Sequence, residues 1–425
     1  MDSVFHYTTK NACRICGGKN LERYLDLGAQ PPSNAFVAPS EVSGESLIPL
    51  QVDLCTDCGL SQLSTVVSHD EVFGDYAYRS SSSRALERSF KDLANDVRSH
   101  AGGIEGRPLV ADLGCNDGLF LSQLPRNEFR LLGVEPSSAG EDAIARGIEV
   151  EKVFFGEQAA QQLLESHGPA DVLTTSNVLA HVDDIHSYLG GVKRWLGARG
   201  CFILEFPYLG DMLRGLWFDT VYHEHVSYLS ISPLTVALER HGLRIFRIDS
   251  HEVGGSGPFL RVFIQHDTGD QEEPEVVTQY RRREEIWGVR DPQTYANFAR
   301  SVARLADILR NDLDRWSAAG HRLGGYGAPA KGNTLLNYLG IGPDRLVAIA
   351  DNTPGKIGLV TPGTHIPIVS DDEFLAMDIG LALLLSWNYL DFFLVHSEYI
   401  RRGGRFLCPF PAPYVSSRVS NTLAV

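Results

Sequence analysis

The sequence predicts an α/β protein in which a small cysteine-rich module precedes two units, each built on a mainly parallel sheet. Two Cys-x-x-Cys pairs lie close to the N-terminus. In the middle of the chain, short apolar runs alternate with runs of helical periodicity, which is typical of parallel strands covered by helices. A later apolar run enters the glycine-rich loop 323–332, which predicts that a further α/β unit begins there.

The composition is that of a globular protein with more than one domain. A chain of 425 residues is too long for one hydrophobic core, and its hydrophobic (43%) and charged (21%) contents are ordinary. The net charge of −15 argues against a nucleic-acid partner, which would need a basic face. No signal peptide and no membrane-spanning stretch is apparent, so the expected location is the cytoplasm, without membrane contact.

Hydrophobic periodicity predicts the elements of the central unit. A helix over 85–99 comes first. The predicted strands are Leu109–Leu113, Arg130–Val134, Asp171–Ser176 and Cys201–Phe206. The predicted helices are Ala139–Arg146, Ile185–Leu196 and Pro233–His241, with a further helix start at Leu119–Leu124. The last two runs, Leu243–Ser250 and Phe259–Gln265, predict an antiparallel hairpin that closes the sheet.

The last part of the chain begins with helices and returns to α/β alternation. Helical patterns fill 274–319 and break near Asp291, which precedes a proline. The predicted strand that opens at Leu323 leads into the glycine-rich loop. The predicted strands that follow are Leu346–Ala350, Leu381–Ser386 and Arg405–Cys408.

The paired cysteines predict a metal site. Cys13, Cys16, Cys55 and Cys58 would place four thiolates around one tetrahedral ion, which suits Zn²⁺ and leaves no open coordination position. The metal should therefore be structural. Four buried free cysteines are the plainer alternative, and a redox pair is disfavoured because neither pair precedes the helix of a βαβ unit.

The loop after the first central strand predicts a nucleoside cofactor. A dinucleotide would need Gly-x-Gly-x-x-Gly and a helix N-terminus free for its pyrophosphate, whereas this loop carries Asp112 and Asp117, which repel phosphate. S-adenosylmethionine has no phosphate and carries a sulfonium and an ammonium group, so it fits better than NAD. The candidate cofactor-binding residues are Asp112, Gly114, Asn116, Gly118, Glu135 and Asn177.

These residues would serve the cofactor in different ways, and for Asn116 a purely structural role is the alternative. The two glycines give room, and Glu135 ends the next strand, where a carboxylate can bridge two ribose hydroxyls. Asn177 follows the strand that ends at Ser176 and would reach the methionine end. Asn116 with Asp117 would also suit a simple helix cap, and His181 is interpreted as a helix-start histidine without a role.

The segment 218–228 predicts reactive chemistry. It contains Tyr222, His223, Glu224, His225 and Tyr228 after a strand of the same sheet. Such a cluster suits proton abstraction by a histidine, with hydroxyl donors for a developing oxyanion. A His-x-His metal pair formed by His223 and His225, or a polar loop of satisfied histidines, are the alternatives.

The combination of motifs resembles the three-domain sugar C-methyltransferases that act on nucleotide-linked keto-deoxysugars in antibiotic biosynthesis. The resemblance extends over nearly the whole chain. The motifs that carry it are Cys13-x-x-Cys16, 31–36 (Pro-Pro-Ser-Asn-Ala-Phe), Cys55-x-x-Cys58-Gly-Leu60, 75–78 (Asp-Tyr-Ala-Tyr), 112–118, 222–228 and 325–332.

The resemblance implies a fold, a substrate and residue roles. The fold would be a zinc-binding module in 1–75, a class I methyltransferase Rossmann-like domain in 76–270, and in 271–425 a helical connector with a second Rossmann-like domain. The partner would be a dTDP-4-keto-deoxysugar, methylated on a ring carbon beside the ketone. His225 would remove the proton, while Tyr76, Tyr222 and Glu224 would bind the sugar or the enolate oxygen.

The C-terminal loop has two interpretations. By the resemblance, Gly325, Gly327 and Lys331 would hold the sugar nucleotide, with the diphosphate at the following helix N-terminus. Asp351 ends the next strand and would be the ribose acceptor if the unit bound NAD instead.

Several questions stay open on the sequence. O- or N-methylation of a small natural product, and a zinc-module scaffold that binds without catalysis, are the competing functions. An amine target needs no base, whereas a carbon target needs one, and His225 would serve. The sequence does not choose between C3 and C5 of the sugar. A monomer is expected, because the C-terminal unit could cover the site by itself.

Overall fold

The computed structural model describes residues 5–68, 79–82, 84–251, 257–272 and 274–416. Tyr76, together with the rest of the motif 75–78, lies outside the described residues. Within the part that is described, no helix is both long and apolar enough to cross a membrane.

The described residues form strands and helices numbered in chain order. The strands are β1 (Tyr7–Thr9), β2 (Leu21–Gln30), β3 (Ile48–Cys55), β4 (Ser61–Leu63), β5 (Thr65–Val67), β6 (Leu109–Leu113), β7 (Arg130–Val134), β8 (Glu149–Glu151), β9 (Ala170–Ser176), β10 (Leu196–Phe206), β11 (Ser227–Tyr228), β12 (Leu243–His251), β13 (Phe259–His266), β14 (Leu323–Tyr326), β15 (Ile349–Ala350), β16 (Ile368–Val369), β17 (Leu381–Leu384), β18 (Phe406–Cys408) and β19 (Tyr414–Ser416). The helices are α1 (Arg84–Ala101), α2 (Ala139–Ala145), α3 (Glu157–His167), α4 (Ile185–Trp195), α5 (Leu209–Gly215), α6 (Ile231–Arg240), α7 (Glu275–Trp287), α8 (Pro292–Ala318), α9 (Ala330–Leu339), α10 (Asp371–Ala376), α11 (Leu390–His396) and α12 (Glu398–Arg401).

The central unit is a seven-stranded sheet in the order β12-β13-β10-β9-β6-β7-β8. The five strands β10, β9, β6, β7 and β8 are parallel, and β13 is antiparallel to both β10 and β12. The predicted closing hairpin is thus confirmed. Because the carboxyl ends of parallel strands meet at one edge, the loops after β6, β7, β9 and β10 lie together there.

The structure differs from the sequence prediction in a few elements. The helix expected from Leu119 is only a 3₁₀ turn over Leu121–Gln123, since the loop runs straight on towards Pro125 and β7. The strand expected over 346–350 is reduced to the two residues of β15. The N-terminal module, which has no long periodic run in its sequence, contains two long strands, β2 and β3. Their buried face is set by packing that the local pattern does not reveal.

The N-terminal module contains a sheet that takes in a piece of the central unit. Its four strands lie in the order β11-β4-β3-β2, and β11 pairs antiparallel with β4, with Ser227 opposite Gln62 and Tyr228 opposite Ser61. The reactive segment predicted from sequence therefore ends as an edge strand of the N-terminal sheet.

The C-terminal unit is a six-stranded sheet in the order β16-β15-β14-β17-β18-β19. Its strands are parallel except for the last pair, β18 with β19. The predicted break before Pro292 is confirmed, since α7 ends at Trp287 and α8 begins at Pro292 with Asp291 as its cap.

Two hydrophobic cores place the N-terminal module between the other units. One core joins Ile15 and Leu60 of the module to the central sheet and to α4 and α6. The other joins Leu50 and Leu54 to α8, α9 and the C-terminal sheet. The module therefore packs against both other units and shares a hydrophobic core with each of them.

Candidate functional site

The four cysteines form the metal centre that the sequence predicts. Their ligand atoms all lie within 4.8 Å of one another, with Cys13 Sγ 3.5 Å from Cys58 Sγ and Cys16 Sγ 3.4 Å from Cys55 Sγ. The cysteines are free rather than disulfide-bonded. Four sulfur donors converging in this way suit tetrahedral Zn²⁺.

The sulfurs of this centre interact strongly with one another. The neighbouring Cys55 sulfur and burial raise the pKa of the Cys13 thiol to about 12, because several thiolates cannot ionise together without a positive charge between them. Backbone amides also point at the sulfurs, as Ile15 N lies 3.4 Å from Cys13 Sγ and Gly18 N 3.3 Å from Cys16 Sγ. Four sulfur ligands make the site structural, since no position is left for a substrate.

The loop after β6 is tightly folded at the edge of the central sheet. Gly114 has φ +81°, and a Cβ there would lie 2.5 Å from Val178 Cγ2. A Cβ at Gly118 would lie 2.9 Å from Ala143 Cβ. Asn116 and Asn177 also have positive φ values, of 49° and 62°. Two non-glycine residues in this strained region, at neighbouring strand ends, are typical of a ligand site.

The acidic residues of this edge are held in place by hydrogen bonds. Glu135 Oε2 accepts a bond of 2.9 Å from Asn116 N, and its Oε1 accepts one of 2.9 Å from Ser137 N. Asp112 Oδ1 accepts a 2.7 Å bond from Thr174 Oγ1. Burial raises the pKa of Asp112 to about 7, and a ligand cation beside it would favour the ionised form.

The side chains of Asn116 and Asp117, which also suited a helix cap, tie the loop to the 3₁₀ turn Ser80–Ser82 instead. Asn116 Oδ1 accepts a bond of 2.9 Å from Ser80 N, and Asp117 Oδ2 one of 3.0 Å from Ser81 N. A longer contact of 3.3 Å, from Leu119 N to Asp117 Oδ1, has the form of a cap.

Asn177 lies at the end of β9 with an amide oxygen directed inward. Its backbone N donates to Glu205 O at 2.9 Å. Its side-chain Oδ1 is buried and has no hydrogen-bond partner among the described residues. A buried amide oxygen of this kind is satisfied by a ligand donor, as an ammonium group would provide.

Tyr222 and His225 form a hydrogen-bonded pair. Tyr222 Oη lies 2.6 Å from His225 Nε2, and His225 Nδ1 lies 3.1 Å from the carbonyl oxygen of Thr220. A carbonyl only accepts, so Nδ1 carries the proton and Nε2 offers its lone pair to the Tyr222 hydroxyl. Burial, followed by the neighbouring His181, lowers the pKa of His225 well below 6.5, which keeps the imidazole neutral.

His181 contacts the same segment, although the sequence interpretation gives it no role. It ends the 3₁₀ turn Leu179–His181 after β9, and its Nδ1 lies 2.7 Å from the carbonyl oxygen of Glu224. Its ring centroid is 4.9 Å from that of His225. One histidine from the turn after β9 and one from the segment just before β11 therefore lie beside each other.

Glu224 is a buried carboxyl group held by the N-terminal module. Its Oε1 accepts a 2.9 Å hydrogen bond from Asn34 Nδ2, and within the described part of the chain its Oε2 has no partner. Burial raises the pKa of Glu224, which favours the protonated form. A neutral carboxyl group in this place can donate a hydrogen bond to a substrate oxygen.

His223 points away from this cluster. Its Nε2 lies 3.2 Å from the carbonyl oxygen of Ile48 in β3, and burial lowers its pKa to about 4. Among the described residues, the group with metal-ligand spacing is the four-cysteine cluster, and it includes neither His223 nor His225. The histidine pair is thus not brought together as a metal site.

A small cavity adjoins the Tyr222–His225 pair. Its walls are mostly apolar and aromatic, from Phe206, Tyr208, Met212, Trp217 and Tyr228, with His225 and Thr220 at the polar side. Water-poor surroundings of this kind strengthen the electrostatic interactions of the residues that line them.

The C-terminal loop lies against the reactive segment. Lys331 is buried, its Nζ donating to Asn388 Oδ1 at 2.6 Å and lying 3.9 Å above the Trp387 ring. Trp387 Nε1 in turn donates to Asp219 Oδ2 at 2.7 Å. Burial lowers the pKa of Lys331 to about 8 and raises that of Asp219 to about 6.

The two glycines of this loop are closely packed. A Cβ at Gly325 would lie 2.8 Å from Ile349 Cγ1, and one at Gly327, where φ is +79°, would lie 2.2 Å from Ser386 Oγ. The amide of Ala328 donates to Asp351 Oδ2 at 2.7 Å. Close strand and helix packing therefore accounts for the glycines, and Asp351 occupies a loop amide that a phosphate would use.

The motif 31–36 connects all three parts, which sequence reasoning on single motifs missed. Besides the bond from Asn34 to Glu224, Ser33 O accepts a 2.7 Å bond from Asn333 Nδ2, and Ser33 Oγ lies 3.2 Å from Thr334 Oγ1. The motif's polar residues between prolines and an aromatic residue were the available signal.

The fold and the site define an S-adenosylmethionine-dependent methyltransferase with a zinc-binding module. Family models match three successive segments: "Putative zinc binding domain" over 13–73, "Methyltransferase domain" over 84–248 and "C-methyltransferase C-terminal domain" over 252–411. The chain is 32% identical over 411 residues to "C-methyltransferase NovU" of Streptomyces niveus, with 96% of this chain and 97% of that protein covered. The chain therefore belongs to this family of zinc-containing C-methyltransferases.

Solved structures show more distant similarity. Magnesium protoporphyrin IX methyltransferase (ChlM) of Synechocystis PCC 6803 with bound SAM is 12% identical, with a TM-score of 0.32 over 43% of this chain and 80% of that chain. An S-adenosylmethionine-dependent methyltransferase of Clostridium acetobutylicum ATCC 824 is 13% identical, with a TM-score of 0.34 over 42% and 92%. Similarities at this level carry no argument about the site.

Proposed function

We propose that this C-methyltransferase acts on a dTDP-4-keto-deoxysugar and methylates a ring carbon beside the ketone through an enolate. The observation that carries the proposal is the neutral His225, whose lone pair is directed by Thr220 and hydrogen-bonded to Tyr222 at the cofactor edge. A carbon acid needs such a base, whereas an amine does not.

The base is proposed to work as a Tyr222–His225 pair. Because Nε2 accepts the Tyr222 proton, His225 can either take the substrate proton itself or receive it through the tyrosine hydroxyl. In both routes the proton ends on Nε2, and the Thr220 carbonyl stabilises the imidazolium through Nδ1. His181 keeps this segment at the cofactor edge through the Glu224 carbonyl.

Glu224 is proposed to bind the oxygen on which negative charge develops. A protonated carboxyl group held by Asn34 donates to an enolate oxygen more strongly than to a ketone, so the interaction favours the transition state. Tyr76 remains proposed as a further sugar ligand.

S-adenosylmethionine supplies the methyl group when it is bound. Glu135 would bind the ribose, and Asp112 and the inward Asn177 oxygen would bind the ammonium end. Gly114, Gly118 and Asn116 shape the loop around them.

Each domain is proposed to have its own role. Residues 1–75 would form the zinc-binding module, 76–270 would bind S-adenosylmethionine, and 271–425 would contain the helical connector and the second Rossmann-like domain. The hairpin strand β13 belongs to the central sheet, which supports a boundary near 270 rather than at 252. The C-terminal unit is proposed to hold the nucleotide. If Lys331 binds its phosphates, it would do so with the N–H donors that its bond to Asn388 does not use.

The test is incubation of the purified protein and of His225→Asn with a panel of dTDP-4-keto-deoxysugars in deuterium oxide, with and without S-adenosylmethionine. We expect a new C–CH₃ group on one sugar, deuterium exchange at that carbon without the cofactor, and loss of both in the variant. Neither methylation nor exchange anywhere in the panel would overturn the sugar proposal. Methyl transfer to oxygen or nitrogen that survives His225→Asn would overturn the base.

A further inference from the structure

Arg14, between two metal-binding cysteines, extends its side chain out of the metal centre. The side chain is only 1% exposed. Its Nη1 donates to the carbonyl oxygen of Leu63 at 2.8 Å, and its Nε donates to Asp183 Oδ1 at 3.0 Å. Its own backbone N donates to Gln62 Oε1 at 2.9 Å. One buried guanidinium group thus contacts the module's strand β4 and a loop of the central unit.

The loop contact leads to His181. Asp183 lies two residues after His181, in the connection between β9 and α4. Its carboxylate binds two cations of the N-terminal module, Arg14 and Lys10, the latter at 2.6 Å. A buried guanidinium group needs its anionic partner, and removing that partner is costly. The ion pair therefore restrains the loop that carries His181.

The strand contact leads to His225. Leu63, whose carbonyl binds Arg14, donates its N–H to the carbonyl oxygen of Val226 at 3.0 Å. Val226 directly follows His225 and precedes β11. The same side chain is therefore linked to a residue two positions after His181 and, through Leu63, to the residue directly after His225, and these two histidine rings are 4.9 Å apart.

We propose that Arg14 is a positioning residue that fixes the His181 loop against the His225 segment by its pairing with Asp183. The zinc module would then set the catalytic geometry through this side chain, in addition to its structural role. The expected change in kcat rests on the proposed role of His225, whereas the expected change in the positions of the two histidine rings can be measured without a substrate.

The test compares Arg14→Met and Asp183→Asn with Arg23→Met. Arg23 is a matched control, because it also lies in the module and pairs with an aspartate, Asp53, at 3.0 Å, but it is half exposed and its partner belongs to the module's own strand β3. The first readout is the imidazole nitrogen spectrum of nitrogen-15 histidine-labelled protein, with peaks assigned by His181→Asn and His225→Asn. The second is kcat and KM for methyl transfer, with zinc content measured for every variant.

We expect both test variants to shift the His181 and His225 signals. The signal of His321, which packs against Trp316 just before β14 in the C-terminal unit, should stay unchanged. We expect kcat to fall roughly ten- to hundredfold, as misplacement of catalytic groups by a fraction of an ångström would produce, with a much smaller change in KM. The control should match the parent protein.

Unchanged histidine signals in a folded, zinc-loaded Arg14→Met would overturn the proposal. If Arg14→Met fails to fold or loses zinc, Asp183→Asn decides, since it lies outside the metal module. Shifted histidine signals with unchanged kcat would contradict the assigned role of His225 and leave the positioning contact standing, so the two failures are distinguishable.

Discussion

At the scale of single residues, the site depends on the protonation of His225. Its tautomer follows from one backbone carbonyl, and its neutrality follows from burial and the nearby His181. The pKa of Glu224 is shifted in the opposite direction, since burial raises it and so favours the uncharged carboxyl group. A neutral base beside a neutral acid is what enolate formation near neutral pH requires.

The shifted histidine predicts the acid limb of the pH profile. Because the pKa of His225 lies well below 6.5, protons compete for the base only at lower pH. We therefore expect kcat/KM for the sugar, measured at saturating S-adenosylmethionine so that cofactor binding does not contribute, to stay constant as pH falls to 6.5 and to decline below it. The measurement is kcat/KM against pH for the parent protein and Tyr222→Phe. A limb centred at or above pH 6.5 would contradict the neutral base, while Tyr222→Phe should lower the plateau because the hydroxyl on Nε2 is lost.

At the scale of elements, the site is made where loops of one sheet meet a strand of another. The loops after β6, β7 and β9 carry the proposed cofactor residues, and the short strand β11 fixes the end of the reactive segment on β4. The long strand β10 ends at Phe206, whose side chain lines the cavity beside His225.

The acidic loop after β6 predicts that cofactor affinity depends on pH. Asp112 has a pKa raised by burial to about 7, so below that pH the apo protein holds a proton that an ammonium ligand must displace. We expect the affinity for S-adenosylhomocysteine to rise with pH up to about 7 and then to level off. Titration calorimetry measures this, and Asp112→Asn should bind more weakly with a flat profile. A slope that persists in Asp112→Asn would assign the proton to another group.

At the scale of the whole molecule, the N-terminal module holds the other two units together. Ile15 belongs to one core and Leu50 to the other, and the motif 31–36 bonds to both Glu224 and α9. On the far side, Trp387 connects Lys331 of the C-terminal unit with Asp219 of the reactive segment.

This second junction predicts a measurable coupling. The charges of Asp219 and Lys331 stabilise one another across Trp387, so each should be less costly to remove once the other is gone. For Lys331→Met, Asp219→Asn and the double variant, we expect urea unfolding to give a coupling free energy of about 1–3 kcal/mol. The solvent-exposed pair Lys91–Glu87, 2.8 Å apart, is the control and should give less than about 1 kcal/mol. Additive losses at Lys331 and Asp219 would show that the charges act independently.

Local sequence signals predicted much of the molecule. Cysteine pairs three residues apart must lie close together, and the cluster of Cys13, Cys16, Cys55 and Cys58 follows once two such pairs meet. Strand ends in a parallel sheet share one edge, so the meeting of Asp112, Glu135 and Asn177 could be expected from the order of the elements.

By itself the sequence determined the metal module, the two parallel sheets and the acidic cofactor loop, because each depends on residues near one another in the chain. Only the tertiary structure decided that Asn34 binds Glu224, that His181 meets His225, and that Lys331 is bonded to Asn388. These contacts join distant segments, and their geometry is set by how the three units pack. Nothing in the local pattern of either partner encodes such packing, since burial and partner choice arise only when the cores form.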